Sequence, residues 1–220
     1  MQLSKRLQAI ANLVPPCQTI ADIGTDHGSL PIYLCLNHKV QQAYACDIAK
    51  KPLQQAIHKI AQFQLQKQII PMLTDGIKNL PSHIDVIIIA GMGGHLITKI
   101  LSERVDGYPQ LILQANSHCE IVRQWLMQSS YEIIDEVMVY EHQQYYEIIA
   151  AKKTNKKIVY DEFSLQYGPI FIQKREKLWL EKYQKLLNQY QDIFLTLKPG
   201  QPKYDSLVKK IADIKKIVQN

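Results

Sequence analysis

The residues Asp22-Ile23-Gly24-Thr25-Asp26-His27-Gly28 crowd two acids, two glycines and a histidine behind an apolar run, Thr19–Ile23, and ahead of a new apolar pattern from Leu30. Gly24 permits a sharp turn and lets a ligand lie against the backbone. The turn feeds a helix start, whose first amides are free to bind something. Dinucleotide folds place G-x-G-x-x-G at such a turn to hold a pyrophosphate. Here Thr25 and Asp26 follow Gly24 instead. A carboxylate repels a pyrophosphate and attracts an ammonium or a sulfonium, so Asp22 and Asp26 point to a ligand with a cationic end.

Comparable residues close the other apolar runs. Asp47 follows Gln42–Cys46, where an acid can accept both hydroxyls of a ribose. Thr74-Asp75-Gly76 follows Ile69–Leu73, an acid and a pliant backbone suited to the amino edge of an adenine. Gly91-Met92-Gly93-Gly94 follows Ile84–Ala90 and lets backbone approach a substrate, and Gln114-Ala115-Asn116-Ser117 ends Pro109–Gln114 with amides that can fix a base edge. Each feature also has a plain structural account: an Asx turn, a helix cap, an Asp-Gly turn, or glycines for tight packing. Together, three acids at successive strand ends fit an adenosyl ligand with a positive tail, as in S-adenosylmethionine. His27 and His95 lie near these turns, and a lone histidine is more often structural than catalytic.

The elements that must hold these residues alternate. Leu3, Leu7, Ile10, Leu13 and Val14 repeat at helical spacing behind a Ser4 cap and stop at Pro15-Pro16. Helices are predicted over Ser29–Leu36, Pro52–Phe63, His95–Leu101 and Glu120–Gln128, each after one of the apolar runs. Strands apolar on both faces and alternating with helices predict a parallel sheet covered on both sides. Glu132–Tyr140 and Tyr145–Ala151, joined by a polar link, predict an antiparallel edge. In such sheets ligands bind at the carboxyl ends of the strands, where the unusual residues are found.

The chain changes character after Lys152–Lys157, which predicts an α/β domain over 1–153 and a helical one over 154–220. Leu180, Tyr183, Leu187, Tyr190, Phe194 and Leu197, then Tyr204, Leu207, Ile211, Ile214 and Val218, form two seams flanking Lys198-Pro199-Gly200-Gln201-Pro202. That is the pattern of an antiparallel helical hairpin of coiled-coil type. Residues 1–153 carry 13 Lys+Arg and 13 Asp+Glu, whereas 154–220 carry 13 and 7, so the whole net charge of +6 sits in the last third. A polyanionic partner and a solvated lysine-rich surface both account for that excess. No cysteine pair suggests a metal or disulfide framework, no apolar stretch is long enough to span a membrane, and no signal peptide is evident. A cytoplasmic protein, monomeric and free of metal, is expected.

The segments LSKRLQAIANLVP, ADIGTDHGSLPIYL, ACDIAKKPLQQA, TDGIKNL, DVIIIAGMGG and LILQANS, in that order and spacing, resemble the bacterial tRNA (adenine-22-N1)-methyltransferase family. The resemblance covers essentially the whole chain. It implies a class I Rossmann-like methyltransferase domain with a C-terminal coiled-coil-like hairpin, using S-adenosylmethionine to methylate N1 of adenine 22 in the D-arm region of tRNA. By that resemblance Asp22, Gly24, Asp26 and His27 hold the methionyl end, Asp47 the ribose, and Asp75 with Gly76 the adenine. Gly91, Met92, Gly93 and Asn116 face the target base, and Lys5, Arg6, Lys174 and Arg175 grip tRNA phosphates. The Asp/Asn-Pro-Pro-Tyr/Phe motif of N6-amine methyltransferases is absent. Gly28-Ser29 stands where the family has Ala-Tyr, and Ala115 stands where it has proline between the two amides. Three rival functions fit the same architecture. An NAD-dependent oxidoreductase is one, but it wants the missing glycine pattern. A scaffold that only binds RNA is the second, and a methyltransferase for another base or a protein is the third.

Overall fold

A computed structural model describes residues 1–104, 107–198, 201 and 203–219. Seven strands form one sheet: β1 (Cys17–Ile23), β2 (Val40–Asp47), β3 (Ile69–Leu73), β4 (Val86–Gly93), β5 (Gln110–Ser117), β6 (Tyr131–Glu141) and β7 (Gln144–Lys153), in the order β3-β2-β1-β4-β5-β7-β6. The first five are parallel, and β7 runs antiparallel between β5 and β6. The chain moves outward from β1 to β3 and then returns to lay β4 on the other side of β1. That reversal creates a crevice at the strand carboxyl ends.

Alternation within the strands divides the core. Ile87 and Ile89 of β4 face one side, with Leu111 and Leu113 of β5, against α4 (Gly94–Leu101) and α5 (Cys119–Gln128). Val86 and Ile88 face the other side, against α1 (Lys5–Leu13), α2 (Ser29–Leu36) and α3 (Lys50–Gln62). The expected Ser4 cap forms, its hydroxyl accepting from the Leu7 amide at 3.3 Å. β4 runs past the expected end at Ala90, because pairing with β5 resumes through irregular register at Met92↔Ala115 and Gly93↔Ser117.

After β7 the chain is helical: α6 (Glu162–Tyr167), α7 (Pro169–Lys174), α8 (Lys177–Leu195) and α9 (Tyr204–Gln219). The two short helices were not legible in the sequence. Pro199, Gly200 and Pro202 of the expected turn lie outside the described residues. The seam residues Tyr183, Leu187, Leu207 and Ile214 are buried as expected, but so are Trp179 and Ile217. Their cluster takes in Met138 of β6, with Tyr145 of β7 packed against it, so the helices rest on the antiparallel edge of the sheet.

A buried ionic knot fastens this docking. The Arg123 guanidinium of α5 donates to Glu136 Oε1 at 2.7 Å and Glu147 Oε2 at 2.5 Å, and to the carbonyls of Leu165 and Gln166. The other Glu136 oxygen accepts from the Ile170 and Phe171 amides, and Lys182 of α8 donates to Glu147 Oε1 at 2.5 Å. Burial works against ionised Glu147, yet Lys182 and Arg123 bring its carboxyl down to about 2.

Candidate active site

At the carboxyl end of β1, the Gly24 and Thr25 amides both donate to the Cys46 carbonyl, at 2.9 and 2.8 Å. Gly24 holds φ +76°, and a Cβ there would collide with the terminal methyl of Met92. Met92 could swing aside, so it is the left-handed backbone more than the space that favours glycine at this turn. Asp22 is 7% exposed, and burial pushes its carboxyl up to about 6. Thr25 and Arg6 pull it down, while Asp26 and Asp47 push it up. It is a buried acid in need of a cation. Asp26 is exposed and lies 3.1 Å from His27 Nε2.

The next two strand ends continue the row. Asp47 Oδ1 accepts from the Ala49 amide at 2.7 Å, and the Thr74 amide donates to the Asp47 carbonyl at 3.0 Å, which ties the ends of β2 and β3 together. Asp75 is exposed beside Gly76, whose φ is +70°. The three acids thus follow one another across the adjacent strands β1, β2 and β3, an order that the sequence alone does not give. The buried anion at Asp22 and the side-chain-free surface at Gly24 suit the sulfonium and ammonium of S-adenosylmethionine. Among the described residues no His, Cys, Asp or Glu cluster is suited to a metal ion.

Across the crevice, the ends of β4 and β5 carry a closed set of amides. Gln114, fully buried, accepts at Oε1 from Arg6 Nη1 at 2.5 Å and from the Gly91 amide at 3.2 Å. Its Nε2 donates to Asn116 Oδ1 at 3.0 Å, and Asn116 Nδ2 donates to the Gly91 carbonyl at 2.8 Å. Nearby, the His95 and His118 rings sit 4.9 Å apart.

A methyltransferase-domain family model matches residues 3–149. The tRNA (adenine(22)-N(1))-methyltransferase of Bacillus subtilis is 36% identical over 202 residues, covering 88% of this chain and 85% of that protein. The chain belongs to the tRNA (adenine(22)-N(1))-methyltransferase family. In solved structures, M. capricolum TrmK in complex with S-adenosyl-homocysteine superposes with a TM-score of 0.90 at 31% identity, covering 100% of this chain and 99% of that one. B. subtilis TrmK superposes with a TM-score of 0.87 at 31% identity, covering 99% of each chain. The oxidoreductase and the RNA-binding scaffold give way to an S-adenosylmethionine-dependent methyltransferase.

The methyltransferase departs from expectation in where its cations go. Arg6, expected on tRNA phosphates, is half-buried and turned into the amide set, with its guanidinium also 5.5 Å from the Tyr146 ring centroid. Only Lys5 of that pair is exposed. Lys174 is bridged to Asp135 at 2.5 Å and to Glu176 at 3.5 Å, and Arg175 donates to the Ile217 carbonyl at 2.8 Å. Both serve the packing of the helical segment as it stands. A groove of about 1050 Å³ runs from Asn116, Ser117 and His118 to α8 and α9. Of its acids, Glu147, Glu162 and Asp213 pair with Lys182, Lys209 and Lys216, and Glu120 and Asp161 are matched in number by Arg175 and Lys210, so the groove itself is charge-balanced.

At the two departures from the family pattern, Ser29 Oγ accepts from Lys59 Nζ at 2.8 Å, and Ala115 pairs with Glu147 of β7. Sequence reasoning put Arg6 on tRNA phosphates rather than against Gln114, named Gln114 only among the amides that close β5, and did not single out His118. For Gln114 the signal was present, since it ends an apolar strand alongside Asn116.

Proposed function

We propose that this chain transfers the methyl group of S-adenosylmethionine to N1 of adenine 22 in tRNA. The observation that carries this is the division of one crevice into an acid row, Asp22, Asp47 and Asp75, and an amide set around Gly91, Gln114 and Asn116. The first suits a cationic nucleoside and the second an uncharged base edge. S-adenosylmethionine supplies a sulfonium-bound methyl, whose positive charge passes to the base as N1 takes the methyl. Adenine N1 has a free lone pair near neutral pH, so the residues need to align it rather than deprotonate it, and alignment supplies much of the rate. Asp22, Gly24, Asp26 and His27 receive the methionyl end, Asp47 the ribose and Asp75 with Gly76 the adenine. Gly91, Met92, Gly93 and Asn116 line the target pocket. N1 lies on the Watson–Crick edge, so the target must leave its stack to enter.

Residues 1–153 form the catalytic domain and 154–220 the tRNA-contacting one, with contact through exposed lysines outside the balanced groove. No helix among the described residues is long and apolar enough to cross a membrane, and tRNA places the reaction in the cytoplasm. The test is incubation with unmodified tRNA and labelled S-adenosylmethionine, followed by digestion and mass spectrometry. 1-Methyladenosine mapping to position 22 is expected. Methyl transfer to another position or base overturns the substrate assignment.

A further inference from the structure

The amide set has only one workable polarity, and Arg6 sets it. A guanidinium can only donate hydrogen bonds, as can the Gly91 N–H. Both end on Gln114 Oε1, at 2.5 and 3.2 Å, so the Gln114 oxygen must face them. Its amino group is thereby aimed at Asn116 Oδ1, 3.0 Å away. The Gly91 carbonyl can only accept, and it takes Asn116 Nδ2 at 2.8 Å. Turning either amide over would set donor against donor at Arg6 and acceptor against acceptor at Gly91. Gln114 is fully buried, where a mispaired amide is costly. Asn116 is exposed, and its oxygen has used only one of two lone pairs.

We infer that Arg6 is a positioning residue which, through Gln114, holds Asn116 Oδ1 as the acceptor for the exocyclic 6-amine of the target adenine. This rests on the adenine-N1 reading above. Adenine presents an amine donor beside the N1 acceptor, whereas a 6-oxopurine presents an acceptor beside an N–H. A fixed oxygen at that point matches the first and opposes the second. As N1 gains the methyl, positive charge spreads over N1, C6 and the amine, so the amine becomes a better donor. The contact to Asn116 is then stronger in the transition state than with bound substrate, which is the condition for it to raise the rate.

The experiment uses tRNA transcripts bearing adenine, or purine without the 6-amine, at the methylated position. Wild type, Arg6→Ala, Arg6→Lys and Asn116→Ala are compared for kcat, KM, the salt dependence of tRNA binding, and S-adenosylmethionine affinity by calorimetry. On adenine, Arg6→Ala is expected to lower kcat by about 10–100-fold, the order for losing a hydrogen bond to a group that carries charge. KM for tRNA and the salt slope should stay near wild type, and Arg6→Lys should recover part of the rate. On purine, wild type should already be slow, and Arg6→Ala or Asn116→Ala should slow it little further. A raised KM with kcat intact, and a salt slope shallower by about 0.7–0.9, would make Arg6 a phosphate contact and overturn the inference. Equal losses on adenine and purine would overturn it as well. Should Arg6→Ala fail to fold, Arg6→Lys and Asn116→Ala decide the same comparison. A wild type that methylates neither transcript removes the adenine-N1 reading and this inference with it. An active wild type with indifferent variants removes the inference alone.

Discussion

Replacing Arg123 by methionine should loosen the helical segment from the sheet. The guanidinium is 0% exposed and is the shared partner of Glu136 and Glu147. Removing one member of a buried ion pair costs about 3–5 kcal/mol, because the partner stays buried and unpaired. The Glu147 carboxyl gives a second estimate. Its fall from the ordinary 4.5 to about 2 corresponds to about 3 kcal/mol. Lys182 keeps part of that, and Glu136 keeps the Ile170 and Phe171 amides. A loss of about 3 kcal/mol at pH 7 is expected, lowering Tm by about 6–12 °C for a chain of this size.

The pH dependence has a definite sign. A carboxyl whose folded value is depressed stabilises above its unfolded value and loses that contribution as pH falls through the folded one. Glu147 therefore supports the wild type fully at pH 7, and its contribution is lost between about 4.5 and about 2. Burial raises the Glu136 value against the pull of Arg123. Without the guanidinium Glu136 takes a proton more readily, so the deficit of the variant should narrow from pH 7 to pH 5. Urea unfolding is read by Trp179, buried among the C-terminal helices, and by Trp125 of α5 in separate single-tryptophan proteins. Adding Glu136→Gln to Arg123→Met should recover part of the loss, since a buried charge is then removed. A deficit below about 1 kcal/mol, or no recovery in the double variant, would refute the reasoning.

Other outcomes follow from the site. Asp22→Asn should weaken S-adenosylmethionine binding at least about tenfold by calorimetry, the order of a missing charge-assisted hydrogen bond. It should also stabilise the free protein by about 2–3 kcal/mol at pH 7.5, because burial raises the folded carboxyl to about 6 and its ionisation opposes folding as pH rises from about 4 to about 6. Melts showing no gain at pH 7.5, or the same gain at pH 4, would contradict this. Asp47→Ala should weaken cofactor binding sharply, and unchanged affinity by calorimetry would remove its assignment to the ribose. Changing the exposed Lys156, Lys157, Lys203 and Lys215 together to alanine should weaken tRNA binding and make the log–log salt slope shallower by about 3, at 0.7–0.9 for each phosphate no longer neutralised. An unchanged slope would place the RNA elsewhere.

What the sequence disclosed was what is local. IDVIIIA had to be a strand buried on both faces, and acids closing three apolar runs had to lie at the carboxyl ends of one parallel sheet. The helical periodicity from Leu180 and from Tyr204 likewise survives in α8 and α9, although α8 ends at Leu195 and leaves Leu197 beyond it. What stayed hidden depends on partners far apart in the chain. The placement of β7 between β5 and β6 is set by pairing that no single segment announces. Arg123 gathers two acids from β6 and β7 and two carbonyls from α6, and each of these residues alone reads as ordinary surface charge or backbone. Arg6 follows Lys5 on an amphipathic helix and so reads as a phosphate grip. Its partner Gln114 lies 108 positions away.

That separation bears on synthesis. The acid row is complete just after β3 has been made, but the amide set draws on residues from α1 and from β5, far apart in the chain. Arg6 waits for Gln114, and the amides of Lys5 and Arg6 wait for Glu141, 136 and 135 positions later. A nascent chain that ends at β4 carries Asp22, Asp47 and Asp75 but neither Gln114 nor Asn116. It therefore has no finished place for a base while it emerges among the tRNAs that serve the ribosome. The amide set can close only once β5 has been made and the first helix has found its seat against it.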